Sequence, residues 1–295
     1  SIRQQENSRA YSSRQEDGSL IDLNRLGGKA KANTDIQQAS IDYANSVGID
    51  YKPSTHYVKV NPEYSTKVAN AYDKMPHDPQ NTKVVEAYTA LIDETLAQYK
   101  IMLDRGIKVE FYPTDKDGNI LNPYPSPRDS IDDINNNNHL YIFPTDAGFG
   151  SNAKFNPKDN PLLATTEFEM SGRPAYANDI FRAVHDYFGH AKEGVGFRAS
   201  GEENAFIAHY PMYSPKAQKA MATETRGQNS WVNYGPFGEQ NRNASQSETI
   251  YADQKINILD DEFIDPNYLQ NINNVEDGVL GQTPKKSDKV TSGLL

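Results

Sequence analysis

Asn178-Asp-Ile-Phe-Arg-Ala-Val-His185-Asp-Tyr-Phe-Gly-His190, followed by Ala222-Thr-Glu224-Thr-Arg226-Gly-Gln228, is the stretch on which the reading of the chain turns. It holds two of the six histidines, with a carboxylate thirty-four residues past the second. Ile180, Phe181, Val184 and Phe188 recur at helical spacing, which predicts a helix over 177–190 with one face anchored in a core. His185 and His190 are five apart. A regular helix turns about 500° over that distance and leaves about 140° between the two side chains. The zinc-peptidase motif His-Glu-x-x-His keeps its imidazoles four apart on one face, so this spacing is a different arrangement. Gly189 lets the helix end or distort just before the second histidine, so that His190 can turn back toward His185.

Two histidines and one carboxylate with open positions describe the facial triad of mononuclear ferrous sites. Glu224 is the expected third ligand, on a helix over 214–226 that Gly227 ends. Glu202, Glu203 and His209 compete with it, all within Gly201-Glu-Glu-Asn-Ala-Phe-Ile-Ala-His209. Glu202 and His209 are seven apart and share a helix face, which also suits them to orienting the imidazoles. Glu202, Glu203 and Arg226 are the candidate catalytic residues. Arg226 either clamps a carboxylate or phosphate on a substrate or pairs with Glu202 or Glu203. Asp186 diverges from His185 by about 100° on a helix, which points to a supporting or surface role.

Outward from this stretch, the pattern is that of a predominantly helical α+β protein, with a small sheet in the N-terminal half and a helical, metal-binding C-terminal half. Helices are expected over 35–46, 62–74, 82–105 and 127–135. Asn61-Pro62 supplies a cap and a first helical residue. Val84, Val85, Tyr88, Leu91, Ile92, Leu96, Tyr99 and Leu103 mark the longest helix, and Gly106 stops it. Strands are expected over 55–60, 107–112 and 139–143. Residues 144–173 read as a long loop, and the later helices as 202–210, 214–226 and 246–254. Residues 1–32 and 277–295 are polar and without periodicity, so they read as flexible ends of a single domain over 33–276.

The chain has 295 residues, 36% of them hydrophobic, and no cysteine. That excludes disulfides, thiolate metal sites and a cysteine nucleophile. A net charge of -10 with scattered Lys and Arg argues against non-specific nucleic-acid binding. No apolar run is long enough for a membrane span. The first eighteen residues lack the apolar core of a secretion signal, and a chain that starts at Ser reads as processed or trimmed. Phe143-Pro-Thr-Asp-Ala-Gly-Phe-Gly150 is not a phosphate-binding loop, because no Gly-Lys-Ser/Thr follows. No Gly-x-Ser-x-Gly elbow supports a hydrolase triad.

His185-Asp-Tyr-Phe-Gly-His190 resembles the iron-binding motif of the aromatic amino acid hydroxylases, particularly the bacterial phenylalanine hydroxylases. The resemblance covers residues 178–236, with Thr223-Glu224-Thr-Arg-Gly227 and Tyr234-Gly235 at similar distances. It implies Fe(II) held by His185, His190 and Glu224, and a hydroxylase-like activity. The resemblance allows pterin as a cofactor, but no residue here can be matched to the family's pterin contacts or to its Pro-rich segment.

A second resemblance is to an uncharacterised family from bacteriophages and mobile elements. It is carried by Met75-Pro-His-Asp-Pro79, Phe143 to Gly150, Asp159-Asn-Pro161, Arg198-Ala-Ser-Gly-Glu-Glu-Asn204 and the run from Glu224 to Pro236. It implies a phage-encoded protein in the host cytoplasm or the virion, with virion proteins as partners. Three functions follow as expectations. One is a non-heme Fe(II) oxygenase acting on a small molecule or side chain. Another is a zinc hydrolase using the same ligands. The third is a non-catalytic virion-associated protein with a structural metal.

Overall fold

Asparagine caps open the three N-terminal helices of the protein, whose computed structural model describes residues 32–51, 57–149, 155–244 and 248–267. Helix α1 (Thr34–Val47) starts where the Asn33 side chain accepts from the Ile36 N–H at 3.1 Å. Helix α2 (Pro62–Lys74) is capped by Asn61 and has Pro62 as its first residue. Helix α3 (Thr82–Asp104) is capped by Asn81, and Gly106 follows its end at φ 85°. Each cap satisfies N–H groups that a helix start leaves without intrahelical partners.

Strand β1 (Lys108–Phe111), helix α4 (Asp129–Asn137) and strand β2 (His139–Ile142) follow, with β1 and β2 paired in parallel from Lys108–His139 to Phe111–Ile142. The expected loop over 144–173 holds more structure than its composition suggested. It contains the short helix α5 (Thr145–Phe149) and strand β3 (Thr165–Met170), which pairs antiparallel with β4 (Arg173–Tyr176). Ser171 and Gly172 both have positive φ, 49° and 80°, as a two-residue hairpin turn requires.

Helix α6 (Ala177–His185) runs on without a break into a π-turn, Asp186–Ala191. Helix α7 (Ala199–His209) and helix α8 (Pro215–Ala222) come next. Helix α8 also continues into a π-turn, Thr223–Gly227, and then into α9 (Gln228–Tyr234). Gly227 therefore does not end the helix. It lets two neighbours approach, since a Cβ there would lie 3.1 Å from both Leu259 Cδ1 and Tyr72 Cδ2. Helix α10 (Gly238–Asn243) is the last α-helix among the described residues.

Two sequence expectations fail here. Residues 249–254 form no helix. Of the expected strand 55–60, positions 55 and 56 lie outside the described residues and 57–60 form no strand. Instead the Asn204 side chain bonds both the N–H and the carbonyl of Val58, at 3.0 and 2.8 Å. The expected flexible ends lie almost wholly outside the described residues.

Two apolar clusters flank α6. Ala177 and Phe181 pack into one with residues of α2, α3, α7, α8 and α9. Ile180, Ala183, Val184, Tyr187 and Phe188 pack into the other with α1, β1, α4 and β2. Every residue from Asp179 to Phe197 is buried, as expected of a helix enclosed on all sides. Asp186 is therefore not on the surface. No helix among the described residues is long and apolar enough to cross a membrane.

Candidate metal centre

Asp179 sets the start of α6. Its carboxylate accepts from the N–H and hydroxyl of Thr145, at 2.9 and 2.6 Å, and from the Tyr176 N–H at 2.9 Å. Nine residues of α-helix then lead to His185. In the π-turn that follows, backbone bonds run from i to i+5 instead of i to i+4. Residue i+5 consequently comes to lie over residue i, and a five-residue spacing becomes a same-face spacing. His185 and His190 meet this way, with ring centroids 5.2 Å apart and planes at 82°. Gly189 makes it possible, because a Cβ there would sit 2.9 Å from Cε1 and Nδ1 of His185. The helix is distorted at this point, as the sequence suggested, but it does not end.

The carboxylate that joins the two histidines is Glu202, from the first turn of α7. One ligand atom from each of His185, His190 and Glu202 lies within 4.8 Å of the others. All three side chains are buried, and His190 is 0% exposed. Asn229 donates to Glu202 Oε2 at 3.1 Å, while Oε1 lies 3.5 Å from His190 Nε2.

The donor set passes a chemical test of fit. His190 Nδ1 faces two carbonyls, Val195 at 3.2 Å and Gly196 at 3.1 Å. Carbonyls only accept, so Nδ1 carries a proton, and in the neutral ring Nε2 is then a lone pair. That Nε2 is buried, makes no hydrogen bond, and faces a carboxylate oxygen. Two electron-rich atoms face each other in a dry interior, an arrangement that a cation between them makes favourable. Phe197 stacks on the His190 ring at 4.0 Å, and Phe181 stacks on His185 at 6.0 Å.

His209 lies behind His185. Its Nδ1 is 3.0 Å from His185 Nδ1, and its Nε2 is 2.8 Å from Gln98 Oε1. Burial holds the His209 imidazole well below its usual pKa, with Lys192 and His190 adding to the effect.

Glu224 is not among the gathered residues, contrary to the sequence expectation. It sits in the second π-turn, where its carboxylate accepts from Tyr88 Oη at 2.6 Å, Gln228 Nε2 at 2.9 Å and Gln254 Nε2 at 3.1 Å. These three donors occupy both of its oxygens. Burial nonetheless pushes its carboxyl up to about 6. Glu203 and Arg226 face each other. Arg226 Nε donates to Glu203 Oε1 at 2.9 Å, and Nη2 donates to the same oxygen. Nη1 donates to Tyr64 Oη and to the carbonyls of Phe263 and Asp265. Of the two roles considered for Arg226, the structure displays pairing with Glu203.

Gln98 and Asn229 were missed in the sequence. A signal for Gln98 was present: it lies on the buried stripe of α3 with Leu91, Thr95 and Met102, and a polar residue on such a stripe needs a partner. Asn229 carried no comparable signal. No family model, curated protein or solved structure matches the chain.

Proposed function

We propose that the protein is a mononuclear non-heme iron oxygenase that holds Fe(II) with His185, His190 and Glu202. The observation that carries this reading is the convergence of two imidazoles and one carboxylate in a buried site. Such a set leaves coordination positions open and is typical of ferrous oxygenases. Bound ferrous iron would supply one-electron and dioxygen chemistry at those positions.

The rest is the work of the chain itself. The Val195 and Gly196 carbonyls fix the ring of His190. Asn229 holds Oε2 of Glu202 and leaves Oε1 directed at the site. The faces of Phe181 and Phe197 keep water from the imidazoles. The zinc-hydrolase reading uses the same donors but needs a separate carboxylate as base. Glu202 is taken as a ligand and Glu203 is ion-paired to Arg226, so the role of base in that reading falls to Asp186, the buried carboxylate beside His185.

Elemental analysis of anaerobically purified protein tests the proposal. About one iron per chain is expected. His190→Ala and Glu202→Gln are expected to weaken iron binding by more than ~100-fold, since loss of even an outer-shell partner costs 10–100-fold. Glu224→Gln is expected to keep its iron. Zinc in place of iron would overturn the oxygenase reading. Iron kept by Glu202→Gln but lost from Glu224→Gln would overturn the ligand set. A loaded protein that consumes no oxygen with any substrate tried would support a structural metal instead.

A further inference from the structure

The hydrogen bonds behind the centre run in one direction. Gln98 Nε2 lies 3.2 Å from the Met212 carbonyl. A carbonyl cannot donate, so the amide nitrogen of Gln98 must face it, and Oε1 is left toward His209. Gln98 Oε1 can only accept, so His209 Nε2 carries the proton across the 2.8 Å contact. A neutral His209 then has a lone pair at Nδ1. His185 Nδ1 stands 3.0 Å from that lone pair, so it must carry a proton itself. In the neutral ring, the remaining nitrogen of His185, the buried Nε2, is thereby left unprotonated.

The enclosure of His209 holds this order in place. The residue is 0% exposed, with Phe181, Phe188 and Tyr213 against its ring. The Lys192 ammonium lies close by, bonded to the Ala208 carbonyl at 2.6 Å.

We propose that Gln98 and His209 are positioning residues that set the tautomer of His185, so that its Nε2 presents a lone pair to the metal. They act from α3 and α7, and neither touches the metal. The chain Met212 carbonyl, Gln98, His209, His185 does for one ligand what the Val195 and Gly196 carbonyls do for the other. Both histidines then carry their protons on Nδ1 and present Nε2. The purpose of this order rests on the metal reading above, but the order itself can be measured without metal.

The experiment has two arms, both on the full chain. In the first, metal-free protein with 15N-labelled histidine is examined by two-bond 1H–15N correlation, which reads the tautomer of each ring. His185 is expected to be protonated on Nδ1 and His209 on Nε2. The opposite tautomer at either ring overturns the proposal. In the second, metal-free protein is titrated with Co(II) and followed by its visible absorption. Gln98→Leu removes the acceptor and is expected to weaken Co(II) binding by about 10–100-fold. Gln98→Glu keeps an acceptor toward His209 but loses the donor to the Met212 carbonyl, so it is expected to bind Co(II) more tightly than Gln98→Leu and less tightly than the parent. Gln98→Leu binding as tightly as the parent overturns the positioning role. If the parent shows the expected tautomers yet binds no Co(II), the proton order stands and the metal reading fails.

Discussion

At Gly189 a single added methyl group would press on the ring of His185. Its Cβ would meet two atoms of the His185 ring at 2.9 Å and the Ala205 carbonyl at 3.2 Å. The ring cannot easily retreat, because His209 stands 3.0 Å behind its Nδ1. Gly189→Ala is therefore expected to destabilise the protein by about 1–3 kcal/mol, the usual cost of overpacking, despite the better helix propensity of Ala. Urea unfolding measures that loss, and the same variant is expected to bind Co(II) more weakly than the parent. The two histidines and this glycine were legible in the sequence, because their spacing departs from a known motif and the departure needs a physical cause. The choice between Glu202 and Glu224 was not legible. Both lie on helices after His190, and only packing decides which turn faces the site. Here Tyr88, Gln228 and Gln254 claim Glu224.

Among the elements, the capped helices α1, α2 and α3 and the short alternating strands β1 and β2 were read nearly to the residue. The β3–β4 hairpin was missed because its outward positions, Thr165, Glu167 and Glu169, read as loop, although Ser171-Gly172 marks the turn. The helix expected over 246–254 is absent where described because the N–H and carbonyl of Ile250 bond to the Asn241 side chain, at 2.9 and 2.8 Å. Asn204 plays the same part toward Val58, standing in for a neighbouring strand. Its removal leaves a buried N–H and a buried carbonyl without that partner. Asn204→Ala is expected to cost about 2–6 kcal/mol, from two such groups at about 1–3 kcal/mol each. Chemical denaturation reads the cost, and faster hydrogen exchange at the Val58 amide locates it.

For the molecule as a whole, the pH dependence of stability has an identifiable source away from the centre. His139 is held between Asp133 and Glu110, with 2.7 Å contacts to each. Burial lowers the imidazole pKa, but hydrogen bonds to the two carboxylates outweigh it and raise the pKa above 6.5. The His139 hydrogen bond lowers Glu110, and bonds from His139, Asn137 and Tyr124 outweigh burial at Asp133 and lower it too. The raised histidine stabilises fully below 6.5 and loses its contribution as pH rises through its folded value. The lowered carboxylates stabilise above their unfolded values, 4.5 and 3.8, and lose their contribution as pH falls through the folded ones. Glu224 has the opposite effect: raised from 4.5 to about 6, it makes stability fall as pH rises across that interval. His139→Asn is accordingly expected to remove the decline above 6.5, as read from melting temperature against pH. The placement of α6 has a consequence of another kind. One helix contributes to both apolar clusters, so neither cluster can lose it without the other. Unfolding is then expected to be a single cooperative transition. Trp231, the one tryptophan of the chain, sits in the first cluster, while Tyr43, Tyr99 and Tyr187 sit in the second. Tryptophan fluorescence and a tyrosine signal from the second cluster are expected to report the same midpoint, and two separated midpoints would show that the halves melt independently.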